Sequence, residues 1–185
     1  YSEEVRGVKI IDYAVKLTFL CILSSAILSF VYNKTMPEIE RQEREKIMAA
    51  RKELLPQAET FESADDSGNF MLGFIEKAGR REAVGKIVSF ETRGYAGPIK
   101  LMAGINAEEK ITGVKVLQQS ETPGLGNRIS KNHFLGQFSG RGYDELAFGA
   151  EGSGIQAITG ATVSSRAVLY AVKQAMGRVQ SHPGK

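Results

Sequence analysis

Residues 17–33 read LTFLCILSSAILSFVYN and carry no charge. A run of this kind must be buried in a protein core or in a bilayer, whose hydrocarbon takes a helix of about 20 residues. Extended back through KIIDYAV, the run reaches about 24 residues and takes in Asp12 and Lys16. Four apart on one helical face, those two can pair. Lys16 is also near enough to the end to reach the headgroups. Tyr13 and Tyr32 stand near the two ends, where an aromatic belt would place them. No A-x-A-like site follows, and VYNKTMPEIERQ reads as the start of a helix, so an uncleaved anchor is expected. The first residue is Tyr1 rather than Met, so residues are expected upstream. Arg6, Lys9 and Lys16 precede the run, and Lys34, Arg41, Arg44 and Lys46 follow it, so flanking charge does not decide the orientation. A short flank inside and the rest of the chain outside is the expectation.

Beyond the run, Pro37 suits the first turn of a new or continued helix. EIERQEREKIMAARKELL is rich in helix formers, with Glu40–Arg44 and Arg41–Glu45 four apart, and Pro56 ends it. This reads as a charged stalk. SADDSGN (63–69) is a loop by composition. Short strand-like runs follow at 70–76, 83–92, 97–105 and 110–119, with Ile99, Leu101, Ala103 and Ile105 alternating on one face. NRISKNHFLGQF (127–138) is a candidate short helix. Val163, Ala167, Val168, Ala171, Val172, Ala175, Met176 and Val179 recur at helical spacing, so a last helix with one apolar stripe is expected. Ser164 or Ser165 would supply its N-cap, and the tail SHPGK is expected to fray. Strands flanked by helices imply an α+β class. The expected organisation is an N-terminal flank and transmembrane helix (1–34), a helical stalk (35–56) and a domain with an antiparallel sheet and a C-terminal helix (57–185).

Composition excludes several chemistries. The formal charge is +3 over 185 residues with no dense Lys/Arg run, a poor match to nucleic-acid binding. One cysteine, Cys21, and two histidines, His133 and His182, cannot build an intrachain disulfide, a cysteine-held cluster or a His-rich metal site. No G-x-G-x-x-G follows a strand, so no nicotinamide site of that type is expected. If the chain does redox chemistry, its cofactor is organic.

ITGATVSSRAV (158–168) crowds hydroxyls and small residues where the last helix begins. A helix N-terminus gathers unpaired N–H groups and a positive dipole end, which suits an anion such as phosphate. Gly160 and Ala161 leave room for a bulky group, and Thr162 offers a hydroxyl. Read on its own, the stretch is also an ordinary capping turn.

The stretch resembles the [ST]-G-A-T signature of the bacterial FMN-binding domain family in which flavin is covalently attached. ETPGLG (121–126) resembles that family's flavin-side loop, and GYAGPIKLMAGI (94–105) its preceding strand entry. With one membrane helix and a stalk, the resemblance covers nearly the whole chain. It is strongest to the family of G subunits of Rnf electron-transport complexes, with the related C subunits of sodium-pumping NADH:quinone oxidoreductases as the alternative. The resemblance implies FMN joined by a phosphoester to Thr162, with Thr159, Gly160, Ala161, Ser164 and Ser165 around it. It also implies flavin contacts from Glu121, Thr122, Gly124, Leu125 and Gly126. No catalytic residue and no metal ligand is assigned. The implied role is an electron carrier within a multi-subunit, ion-translocating ferredoxin:NAD oxidoreductase. The implied partners are other membrane subunits, the lipid bilayer and a flavin transferase, since a threonine hydroxyl without an adjacent base is a poor nucleophile. The implied location is the bacterial cell membrane, single-pass, with the flavin domain on the extracytoplasmic side. One position departs from the pattern: Gln156 stands where the family motif commonly has Asp. A membrane-anchored sensory or assembly module built on the same domain is the other reading that the residues leave open.

Overall fold

The computed structural model describes residues 2–65, 68–77, 79–149 and 154–181. The centre of the 63–69 loop and the tail beyond residue 181, with His182, lie outside the described residues. The chain divides into two compact units, Tyr1–Glu45 and Lys46–Lys185.

The first unit is helical. Helix α1 spans Ser2–Leu54 without a break at Pro37. Its stretch of membrane-like composition is long and apolar enough to cross a membrane, and none of it is buried by other described residues. Leu17, Phe19, Ile22, Leu28 and Phe30 are all more than half exposed. The charge pairs are local. Lys16 Nζ meets Asp12 Oδ2 at 2.5 Å, Arg44 meets Glu40 at 3.6 Å and Arg41 meets Glu45 at 3.8 Å. Arg41 also donates to Glu38 at 2.8 Å, and this bond, ahead of one from Gln42, holds the Glu38 carboxyl below its ordinary range. Each pair is four or three residues apart and solvent-exposed, so water and salt screen it and it adds little to stability.

The second unit is built on a five-stranded antiparallel sheet in sequence order: β1 (Thr60–Ser63), β2 (Phe70–Lys77), β3 (Arg80–Arg93), β4 (Pro98–Asn106) and β5 (Ile111–Gln119). Strands 2 to 5 fall where alternation and turn residues predict them. β1, four residues long, carries too short a pattern to be read from sequence. The predicted 127–138 helix is present as a 3-10 turn at Gly126–Ser130, a short helix α2 at Asn132–Leu135 and a further 3-10 turn at Gly136–Phe138. Helix α3 spans Thr162–Ser181.

One sheet face holds the larger core. Ile99, Leu101, Ala103 and Ile105 of β4 meet Val168, Val172, Ala175, Met176 and Val179 of α3, with Phe134 and Phe138 closing one side edge-to-face. The other face receives the last turn of α1 and the residues after it: Ala50, Leu54, Leu55 and Ala58 pack with Ile87 and Met102. Strands β2 to β5 present Gly73, Gly85, Gly104 and Gly113 there. A Cβ at Gly73 would lie 2.9 Å from Ala58 Cβ, and one at Gly85 would lie 2.5 Å from the Ile105 carbonyl and 2.9 Å from Leu55. Leu54's carbonyl, one of those an α-helix leaves open at its end, accepts from Thr112 Oγ1 of β5 at 2.6 Å. Ile47, Ala50, Leu54 and Leu55, at the end of the predicted charged stalk, thus belong to the domain's second core.

Candidate functional site

Three segments meet at one carboxylate. Glu121 follows β5, Ala96 lies in the turn between β3 and β4, and Ser164 lies in the first turn of α3. The Ala96 N–H donates to Glu121 Oε1 at 3.2 Å, and Ser164 Oγ donates to Oε2 at 2.7 Å. Glu121 is only 6% exposed and Ser164 1%. Gly94 and Gly126 stand directly against the carboxylate: a Cβ at Gly126 would sit 2.7 Å from Oε2, and one at Gly94 would run into Oε1. Both positions are therefore glycine for closeness, because any side chain would push Glu121 out of reach of its donors.

The approach to α3 is a tight turn. The Ala161 N–H donates to the Ile158 carbonyl at 2.9 Å, and Gly160 takes φ +81°, a conformation natural to glycine. Ser165 locks the turn from inside the helix. Its hydroxyl donates to the Ala161 carbonyl at 2.9 Å and accepts the Ile158 N–H at 3.0 Å. This corrects the capping expectation. The helix begins at Thr162, with Ala161 as its flanking residue, and Ser164 and Ser165 sit within the first turn. Their hydroxyls serve tertiary bonds to Glu121 and the Ile158 turn, so neither is an N-cap.

These bonds shape a cleft of about 420 Å³. Its buried lining is Glu121, Gly126, Ala161 and Ser164, and its exposed lining is Tyr95, Thr122, Leu125, Gly160, Thr162 and Val163. Among the described residues, the Thr162 hydroxyl makes no hydrogen bond. Tyr95 is 75% exposed, Val163 55% and Leu125 48%, so a large apolar surface rings the opening. Such a cleft, mostly apolar with few polar groups and a helix N-terminus, is of the size and character that hold small-molecule cofactors, roughly 300–1,000 Å³.

Most of the residues predicted to touch a cofactor come together here. Three do not line the cleft: Thr159 is exposed on the turn, Gly124 shapes the 122–127 loop, and Ser165 is buried behind the helix start. Gly124, at φ +81°, donates its N–H to Asn127 Oδ1 at 3.0 Å. Two lining residues are not predicted from sequence to take that role. The helical stripe of α3 predicts Val163 to be buried, but it faces the cleft. Tyr95 carries the one available signal, an aromatic flanked by small residues in GYAGP. Gln156 is exposed, and its N–H donates to Gln137 Oε1 at 2.7 Å. Arg166 and His133 are exposed and line no part of the cleft. A second cleft of about 400 Å³ lies between β3–β4 and the C-terminal half of α3, lined by Phe90, Lys100, Gln174 and Arg178 among others, and holds none of the predicted residues.

The FMN-binding domain family matches residues 94–177, from the Tyr95 turn through most of α3. The G subunit of the ion-translocating oxidoreductase complex of Methanosarcina acetivorans is 34% identical over 179 residues, spanning 92% of this chain and 94% of that one. The chain belongs to the family of G subunits of ion-translocating oxidoreductase complexes. Within that family, the G subunit of the proton-translocating ferredoxin:NAD(+) oxidoreductase complex of Clostridium ljungdahlii is 30% identical over 171 residues, spanning 91% of this chain and 90% of its own. The C subunit of the Na(+)-translocating NADH-quinone reductase of Parabacteroides distasonis superimposes with a TM-score of 0.48 and 22% identity, over 63% of this chain and 64% of that structure. In this member of the G-subunit family the matched FMN-binding segment begins beside Tyr95 and contains all ten residues that line the cleft.

Proposed function

We propose that this chain is the membrane-anchored electron-relay subunit of an Rnf-type ion-translocating oxidoreductase complex. It carries FMN as a phosphoester of Thr162, with the flavin domain on the extracytoplasmic side of a bacterial cell membrane. The observation that carries the reading is the Thr162 hydroxyl: unbonded, exposed, at the first residue of a 20-residue helix and on the lining of the cleft.

The residues fit the group. The phosphodiester keeps one negative charge, and the open N–H groups and dipole at the start of α3 favour it. Gly160 and Ala161 give the phosphate close approach to the backbone. The exposed apolar surfaces of Tyr95, Leu125 and Val163 would hold the flat ring and keep water from one side of it. When bound, FMN supplies one- and two-electron chemistry, which this chain's own side chains lack. Thr162 has no base beside it: Glu121 is committed to Ala96 and Ser164, and His133 lines no part of the cleft. A separate flavin transferase must therefore form the ester. The anchor is the apolar stretch of α1, and the partners are the other membrane subunits of the complex.

The test is to express the chain with a flavin transferase and weigh it. The expected increment is FMN less one water, with a band that stays fluorescent on a denaturing gel. Thr162→Ala should abolish both and leave the domain folded, because the side chain is exposed. Covalent flavin retained in that variant would overturn the assignment.

A further inference from the structure

We infer that Glu121 is a fixed negative charge beside the flavin, which lowers the flavin's reduction potential, and that it is not a flavin ligand. The inference rests on the proposed function and goes beyond it to a property of the site.

The sequence resemblance makes Glu121 a hydrogen-bonding partner of the cofactor. In the structure each of its carboxylate oxygens is already engaged within the protein. One carboxylate oxygen accepts from the Ala96 backbone at 3.2 Å and the other from Ser164 Oγ at 2.7 Å. Both partners donate, so the arrangement calls on the acceptor-only capacity of a carboxylate. Its own N–H is taken by Gln119 Oε1 at 2.6 Å. Among the described residues no salt bridge joins Glu121 to a cation, so its charge is balanced by hydrogen-bond dipoles alone. Gly94 and Gly126 hold the backbone tight against it, which prevents the carboxylate from swinging out to water.

Position makes that charge matter. Glu121 is on the buried lining of a cleft of about 420 Å³, so the cleft's width is on the order of one Debye length, ~8 Å at physiological salt. Any group seated there feels the carboxylate through protein rather than through water, and burial keeps salt from screening it. Reduction adds electrons to the ring. A neighbouring negative charge disfavours that gain and so moves the potential down.

The Glu121→Gln variant isolates the charge. Gln keeps the shape, its Oε1 can still accept from Ala96, and its amide can donate to Ser164, whose hydroxyl can turn to accept. In flavinylated full-length protein, Glu121→Gln should raise the midpoint potential, with the reduced-to-oxidised ratio at fixed potential rising about tenfold, or about 30 mV for a two-electron couple. The shift should persist at high salt. Ser164→Ala removes a donor and keeps the charge, so it should move the potential the other way, downward. That opposite sign is what a merely structural role for Glu121 would not produce. If Glu121→Gln loads flavin and titrates as wild type does, the inference falls while the proposed function stands. If Glu121→Gln fails to fold or to load, Ser164→Ala decides: a lowered potential supports the inference, and an unchanged or raised one overturns it. A wild-type chain that takes no covalent flavin sinks the proposed function first, and this inference with it.

Discussion

The two faces of the sheet are covered by opposite means. On one, branched side chains of β4 interlock with the stripe of α3, and Leu101, Ile99 and Ile105 are wholly buried. On the other, a strip of glycines across four strands gives up its side chains so that Leu54 and Leu55 can lie against bare backbone. The first face is stabilised by the apolar area it removes from water, at about 25 cal/mol per Å². The second depends on fit: its few buried side chains bring less area, and its closeness leaves no space for an added methyl. The site belongs to the first face. The start of α3 that carries Thr162 is placed by the same helix whose later turns fill that core.

This difference makes the two faces respond to opposite kinds of substitution. Leu101→Ala empties space at the centre of the first face and should cost the most, about 3 kcal/mol in thermal unfolding of the detergent-solubilised chain. It should also reduce flavin loading, because α3 would lose its seat. A loss below about 1 kcal/mol would mean that the α3 face is not what holds the domain together. Gly85→Ala adds one carbon on the second face. That carbon would lie 2.5 Å from the Ile105 carbonyl, which is backbone and has nowhere to go. The expected cost is about 2 kcal/mol, within the range for overpacking, with flavin loading unchanged. A neutral Gly85→Ala would show that the second face is loose and that the contrast is wrong.

The same contrast explains what the sequence reveals and what it hides. Alternation in GPIKLMAGI and the 3.6-residue period after Thr162 are side-chain signals, so β4, α3 and the first core can be read directly. Gly73, Gly85, Gly104 and Gly113 lie inside the strand-like runs but carry no side chain to form a pattern, so the second face stays invisible. With it goes the docking of residues 46–55, because EKIMAARKELL looks like any solvated helix until a partner is known. At the site, the TGAT and ETPGLG stretches mark two of the three converging segments through local spacing. The third, the Tyr95 turn, is marked by GYAGPIKLMAGI only as a strand entry, and its part in the site comes in through the Ala96-to-carboxylate bond across 25 residues of sequence. Ser164 and Ser165 mislead for the complementary reason: hydroxyls before an apolar stripe usually cap a helix, and here they bond to Glu121 and the Ile158 turn instead.

Arg51, on the last turns of α1, gives the finest test of the second face. Its Nε is buried without a hydrogen-bond partner, and burial lowers the guanidinium from its ordinary value. An unmet donor costs about 1–3 kcal/mol when fully buried, and Arg51 is only half-buried, so the lower end applies. Against this, a cation in the last turn of a helix gains about 0.3–1 kcal/mol from the dipole. The two terms nearly cancel in Arg51→Met, which removes both. Arg51→Lys separates them: it drops Nε, keeps the positive charge, and lets a flexible stem carry the ammonium to water. We expect Arg51→Lys to stabilise the chain by about 0.5 kcal/mol and Arg51→Met by less. Neither effect should vary between pH 5 and 9, roughly, because a folded-state value lowered from that of arginine still leaves the group charged there, and stability would gain only as pH rose toward it. A loss in Arg51→Lys would mean that Nε is bonded after all, and that the second face is held by a polar contact as well as by glycine fit.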